Sequence, residues 1–248
     1  MGVIHLIIKE GRLFRERHGK NENENYVAKL ISYDYLDEMV ELIQRVYDAL
    51  PIKEVLMVDS YEDMKLDMDK GAKVMGIFGE MDQMIAYRYV SFPGKEKHSL
   101  GYDVGIDESE LESLCQLETT VVDPPYRGNN LQSMTLGLMI PIVRAEGYRH
   151  LACTISPYNY YSVNNIMKHN LKIKVLKKKY GTLPDNSDGM WRYILHTDIT
   201  EKTKKPGENK ITVAMPEIEK QLELLKDGYI GYSLNHKDQS LNYVKVNF

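Results

Sequence analysis

Between Asp34 and Pro51 the apolar residues Leu36, Met39, Val40, Ile43, Val46, Tyr47 and Leu50 recur at three- and four-residue steps. That spacing predicts an amphipathic helix, capped by Asp34 and stopped by Pro51. A second helix is expected over Tyr61 to Asp69. Lys73 to Phe78 and Met84 to Val90 then read as two strands of a hairpin around the polar turn Gly79-Glu80-Met81-Asp82. The polar stretch from Ser91 to Ser113 is long enough to predict a loop beside a site, or disorder. Cys115 to Val122 reads as a strand, and Asp123-Pro124-Pro125-Tyr126-Arg127-Gly128-Asn129-Asn130 breaks it. Leu131, Met134, Leu138, Ile142 and Ala145 mark a helix that closes at Gly147, with a kink expected at Pro141. A strand at His150 to Ile155, a helix at Tyr160 to His169 and strands at Ile173 to Lys177 and Met190 to Asp198 follow.

The two ends are less regular. Residues 1–25 hold one short apolar run, Val3 to Ile8, and a polar stretch from Glu10 to Asn25, together predicting an N-terminal extension before a strand at Tyr26 to Ile31. Thr200 to Asn209 has the composition of an exposed linker. Beyond it, residues 206–248 predict a small appendage: a helix from Pro216 with Ile218, Leu222 and Leu225 on one face, Gly228 as its stop, and strands at Tyr229 to Tyr232 and Asn242 to Val246. So few residues cannot fold alone and must pack on the main body or on a second subunit, so a homodimer contact is one reading of this aromatic segment. The expected organisation is an extension (1–25), a main domain (26–200) and the appendage (206–248).

Charge and composition narrow the function. In 248 residues, 32 Lys and Arg face 36 Asp and Glu, a formal net charge of −4. Such a chain has no global attraction to nucleic acid. No apolar run approaches the length of a membrane span, and Val3 to Ile8 is too short for a secretory signal. Cys115 and Cys153 both lie in apolar runs, where thiols act as small core residues, so a reducing, cytoplasmic setting is expected. His and Cys are scattered without metal-ligand spacing, so no metal is expected. None of G-x-x-x-x-G-K-[ST], G-x-G-x-x-G, G-x-S-x-G or H-E-x-x-H occurs.

The junction after Val121-Val122 carries the chemistry. A strand, a tight turn and a helix starting near Asn130 bring unpaired backbone amides and the positive end of a helix dipole to one point, a ready place for phosphate. Arg127 supplies a cation there and Gly128 an unobstructed approach. The run Val122-Asp123-Pro124-Pro125-Tyr126-Arg127-Gly128-Asn129-Asn130-Leu131-Gln132 resembles the acetyl-CoA-binding turn of the GNAT superfamily of N-acetyltransferases, R/Q-x-x-G-x-G/A. Asn159-Tyr160-Tyr161-Ser162 followed by Lys168-His169-Asn170-Leu171 is similar to the family's N-x-x-S … K-x-G-F segment. Asn130 and Gln132 depart from the two small positions, although Asn tolerates the left-handed backbone that Gly would otherwise supply.

The resemblance, over about Tyr26 to Thr200, implies a layered α+β fold (α/β/α). Its mixed, mostly antiparallel twisted sheet would have about seven strands, with central parallel strands splayed apart and helices on both sides. It implies acetyl-CoA as cosubstrate, its pyrophosphate on the amides around Arg127, Gly128, Asn129 and Asn130, with Val121, Val122, Leu131 and Gln132 also at the cofactor and Asn159 and Ser162 near the pantetheine arm. The activity implied is direct transfer of acetyl to a primary amine, on a small molecule or a Lys side chain, by an acyltransferase of class 2.3.1. Glu118, the one acid within the strand before the turn, is the candidate base. Ile166 stands where many members carry a Tyr acid, leaving Tyr160 or Tyr161 as candidates, with Tyr161 taken forward. Lys177-Lys178-Lys179 reads as a solvated strand end or a contact for the 3′-phosphate of CoA. The acidic run Asp107 to Glu112 hints at a cationic acceptor such as a polyamine, an aminoglycoside-like amine or a Lys side chain. The alternative of another class is a non-catalytic sensor or interaction module on the same fold that binds acyl-CoA without turnover.

Overall fold

In the computed structural model, residues 6–182, 188–201 and 210–245 are described. The start of the first apolar run, most of the Thr200 to Asn209 linker and the last strand's end at Val246 lie outside them. Eleven strands pair in the order β1-β2-β3-β4-β5-β6-β8-β7-β10-β11-β9. They are β1 Ile7–Arg17, β2 Lys20–Ile31, β3 Lys73–Phe78, β4 Met84–Ser91, β5 Leu114–Val122, β6 His150–Ile155, β7 Lys172–Lys179, β8 Met190–Asp198, β9 Lys210–Ala214, β10 Tyr229–Asn235 and β11 Ser240–Lys245. The helices are α1 Leu36–Asp48, α2 Tyr61–Asp69, α3 Leu100–Val104, α4 Leu131–Ala145, α5 Tyr160–Met167 and α6 Ile218–Lys226. The sheet is therefore larger than the seven strands expected, because β1 and the three C-terminal strands join it.

The chain divides into two compact units, one of residues 1–92 and 117–146, the other of 93–116 and 147–248. In the first, β1 and β2 form a long antiparallel hairpin turning at His18 and Gly19, both at positive φ (51° and 74°), the backbone a two-residue hairpin turn needs. The polar stretch Glu10 to Asn25 is thus paired strand and not a lead-in. Its period-2 signal is weak because both faces are largely polar. Charged Lys9, Arg12, Arg15 and Arg17 line the outermost strand, where they oppose pairing with another chain.

The face of β4 carrying Tyr87 and Tyr89 joins α1 and α2 in one core, with Leu36, Met39, Ile43, Met64, Val74 and Val121. Alternation sends Arg88, between those tyrosines, toward α4 on the opposite face. Helices therefore cover both faces of this unit's strands. α1 forms where its periodicity predicted it, but Asp34 does not cap it. A 3₁₀ turn over Tyr33–Tyr35 precedes the helix, and Tyr35 occupies the cap position without a side-chain hydrogen bond. α2 is capped by Ser60, whose hydroxyl accepts from the Asp63 amide at 3.1 Å. α4 runs unbroken through Pro141, which lies on its exposed side.

In the second unit, the stretch expected to be a loop is ordered. It holds α3 and a 3₁₀ turn at Leu111–Ser113, with Leu100 and Leu111 buried. Leu100, Leu114, Ala152 and Ile194 form a core there. β5 and β6 pair in parallel over Leu114–Gln116 and His150–Ala152. α5 is shorter than predicted, ending at Met167. The C-terminal strands join through Gly231 against Ile173, and buried Gln221 of α6 accepts hydrogen bonds from the Tyr193 and Tyr243 hydroxyls at 2.7 and 2.8 Å. The appendage packs on the body of its own chain. Cys115 and Cys153 are buried, as the sequence predicts.

Candidate functional site

At the end of β5 the chain turns through a 3₁₀ turn, Pro124–Tyr126, into α4. Gly128 has φ 87°, with open space where a Cβ would stand. Asn130 adopts the left-handed conformation (φ 56°, ψ 25°) and sits at the cap position of α4 without capping it through its side chain. Asn130 therefore holds a backbone conformation that Gly adopts without strain. A helix that begins with no side-chain cap presents its first amides outward, and Arg127 is exposed beside them. Such a turn fits a pyrophosphate.

The remaining turn residues have other work. Val121 and Leu131 are buried in the core, so only their main chain is available to a ligand. Val122 is half-buried at the strand's end, and half-buried Gln132 lies in the first turn of α4. The Asn129 side chain is committed to the protein itself. Its Oδ1 accepts from the Phe14 amide at 2.7 Å, and its Nδ2 donates to the carbonyls of Phe14 and Tyr126 at 2.6 and 3.0 Å.

Two buried charged side chains brace this junction, and neither was singled out from the sequence. Arg88 Nη2 donates to the Gln132 carbonyl at 2.8 Å, and its Nε donates to Thr135 Oγ1 at 3.2 Å, placing a buried positive charge under the first turn of α4. The one charged residue in the apolar run Met84 to Val90 was the available signal. On the other side, the Tyr126 hydroxyl donates to both carboxylate oxygens of buried Glu24 at 3.2 Å, which pins the 3₁₀ turn to β2. Burial, then Glu24, push the Tyr126 phenol up to about 12.

Glu118 is half-buried and accepts a hydrogen bond from Ser91 Oγ at 2.5 Å. On the same unit, Thr119 Oγ1 donates to Asp59 Oδ2 at 2.5 Å, and the Tyr89 hydroxyl donates to Asp67. Ser91 of β4 is thus a partner of Glu118 that its own strand did not reveal.

In the second unit, Asn159 caps α5, its Oδ1 accepting from the Ser162 amide at 3.1 Å. The N-x-x-S segment thus has a structural task of its own. Tyr161 is 75% exposed, whereas the Tyr160 hydroxyl is engaged with His236 Nδ1 at 2.7 Å. Ile166 is buried and apolar. The structure gives no support to the Lys177-Lys178-Lys179 run as a phosphate patch. Lys177 and Lys179 both bond to Asp103, the latter at 2.8 Å, and Lys178 lies over the Trp191 ring. Among the described residues, no group of three or more His, Cys, Asp or Glu is arranged to hold a metal ion, and no helix is long and apolar enough to cross a membrane.

No family model matches the chain, and no curated protein sequence does. Solved structures do. An N-acetyltransferase from Staphylococcus aureus Mu50 superposes with a TM-score of 0.53 at 14% identity, over 70% of this chain and 98% of its own. A GNAT-family acetyltransferase from Streptococcus pneumoniae gives 0.51 at 16%, over 70% and 99%. A phosphinothricin acetyltransferase of the GNAT superfamily from Sinorhizobium meliloti, solved with acetyl-CoA, gives 0.50 at 17%, over 73% and 94%. At these identities the likeness is one of fold. Together with the strand, turn and helix at Val121 to Gln132, it shows that the chain carries the fold of the GNAT N-acetyltransferases.

Proposed function

We propose that the protein is an acetyltransferase that moves an acetyl group from acetyl-CoA to a primary amine by direct attack. The observation that carries this reading is the turn at Arg127 to Asn130, where a left-handed Asn, an unobstructed Gly and an uncapped helix start stand on the fold of this family. The amides around Gly128 and Asn130 hold the pyrophosphate, and Arg127 adds charge-assisted contacts. Glu118 takes the proton from the amine as nitrogen bonds to the thioester carbonyl carbon. The carbon–sulfur bond breaks, and sulfur leaves as the thiol after receiving one proton. The products are an acetamide and CoA. Tyr161 is the proton donor in this reading, and Asn159 and Ser162 contact the pantetheine arm.

The reading treats residues 26–200 as the catalytic fold and 206–248 as its appendage. The two buried cysteines suit a reducing cytoplasm. Ile166 and Gln132 favour a second reading, a sensor that binds acyl-CoA without turnover. Thermal-shift titration with acetyl-CoA, CoA and ATP, followed by thiol release with amines, separates the two. A melting shift with both CoA species but not ATP, lost in Arg127→Glu, supports the cofactor. Thiol release that falls in Glu118→Gln with cofactor affinity unchanged supports the enzyme. No shift with either CoA species overturns both readings.

A further inference from the structure

The carboxylates beside Glu118 are organised in a way the proposed base does not require. Asp59, partly exposed, accepts from Thr119 Oγ1 at 2.5 Å, and Asp67, also partly exposed, accepts from the Tyr89 hydroxyl. Asp63 lies one turn before Asp67 on the solvent side of α2. Burial first, then Asp63 and Asp67, both of its own sign, raise the Asp59 carboxyl against the hydrogen bond from Thr119. Burial first, then Asp67, Glu118 and Asp59, raise the Tyr89 phenol. Asp59 and Asp67 therefore stand together as a group of like charge beside Tyr89.

A second observation points to what the group holds. Tyr87, two residues before Tyr89 on β4 and on the same face, is 0% exposed, and its hydroxyl has no hydrogen-bond partner. It lies within the field of Asp59. A buried hydroxyl left unbonded is costly, and a partly buried carboxylate among like charges is costly too. One group relieves both: an ammonium that donates to Asp59 and to the Tyr87 oxygen.

We propose that Asp59 and Asp67, with Tyr87, bind the distal ammonium of a di- or polyamine, so that the acceptor is a small polycation and not a monoamine. This rests on the acetyl-transfer reading. The distal nitrogen stays protonated throughout, and the other, as the neutral amine, gives its proton to Glu118 as it bonds to the acetyl carbon and the thiol departs. Asp59 and Tyr87 are binding groups, so their loss is felt in KM and not in kcat.

The test compares 1,4-diaminobutane with n-butylamine, which has the same carbon chain and one nitrogen fewer, as acceptors in thiol release at saturating acetyl-CoA. Binding of each amine to the full chain is measured by calorimetry alongside. The diamine is expected to give a kcat/KM at least about tenfold higher. Asp59→Asn should raise the diamine KM by about tenfold, several times more than any change it makes to the use of butylamine. Tyr87→Phe should raise the diamine KM less, while melting no lower than the parent, since the hydroxyl it removes bonds nothing in the free protein. Equal use of the two amines, or a loss in Asp59→Asn that falls equally on both, overturns the proposal. So does diamine that neither binds nor reacts in a protein whose melting point acetyl-CoA raises. Diamine that binds the parent but not Asp59→Asn, with no thiol released by any amine, upholds the site while overturning the transfer reading.

Discussion

Asn129 brackets the main chain of Phe14, accepting from its amide at 2.7 Å and donating to its carbonyl at 2.6 Å across 115 residues of sequence. The side chain thus mimics a strand neighbour and ties the proposed phosphate turn to β1. Asn129→Ala removes both bonds and should cost about 1–2 kcal/mol in urea unfolding. Faster amide exchange along 7–17 and a higher KM for acetyl-CoA should accompany it. A variant with unchanged exchange in β1 would show that the tie is not what holds the turn.

The left-handed backbone at Asn130 makes a second prediction. Asn130→Gly keeps the conformation and should retain acetyl-CoA affinity, as measured by thermal shift. Asn130→Val places a β-branched residue at φ 56° and should lose about 1–2 kcal/mol of stability. Its cofactor affinity should fall, because the amides of the turn no longer converge. Equal affinity in the Gly and Val variants would remove the turn from the cofactor site.

Stability should fall in acid through His196. Burial, then His150 at 3.1 Å and Lys174, hold its imidazole down to about 4, against an ordinary value near 6.5. The folded state therefore binds fewer protons than the unfolded chain between those values. The contribution of this group is fully present above pH 6.5 and lost as pH falls toward 4, about 3 kcal/mol in all. Asp198 acts in the next window. Burial opposes its ionisation, but Thr200 and Arg149 outweigh burial and bring it to about 2, so its contribution is lost below the ordinary carboxylate range. Urea midpoints at pH 7, 5.5 and 4.5 should decline for the parent and decline less for His196→Gln.

Gln221 supplies a fourth prediction. Its Oε1 accepts from two buried tyrosines and its Nε2 donates to the Met215 carbonyl at 2.7 Å. Gln221→Leu leaves two buried hydroxyls and a carbonyl without this partner, and should destabilise the protein by about 2–4 kcal/mol in denaturant unfolding. The triple change with Tyr193→Phe and Tyr243→Phe should recover part of the loss. A Gln221→Leu variant as stable as the parent would mean that the appendage is not secured there.

Much of the fold was legible because it rests on local periodicity. The 3.6-residue stripe of Leu36 to Val46 and the apolar runs of β3 to β6 specify which faces are buried whatever they meet. The turn into α4 was legible for a similar reason: Gly128 and Asn130 are residue types that tolerate positive φ, and both adopt it. The β1–β2 hairpin was not, because polar strands carry no alternation and are held by main-chain pairing. Sequence alone marked Glu118 as the acid in its strand and expected Asn159 and Asn129 at the cofactor. Only the tertiary structure showed that both Asn side chains brace the backbone, that Arg88 sits under α4, and that Ser91, Thr119 and Tyr89 bond the carboxylates of Glu118, Asp59 and Asp67. Side-chain partners far apart in sequence are chosen by packing, whose outcome no local pattern encodes.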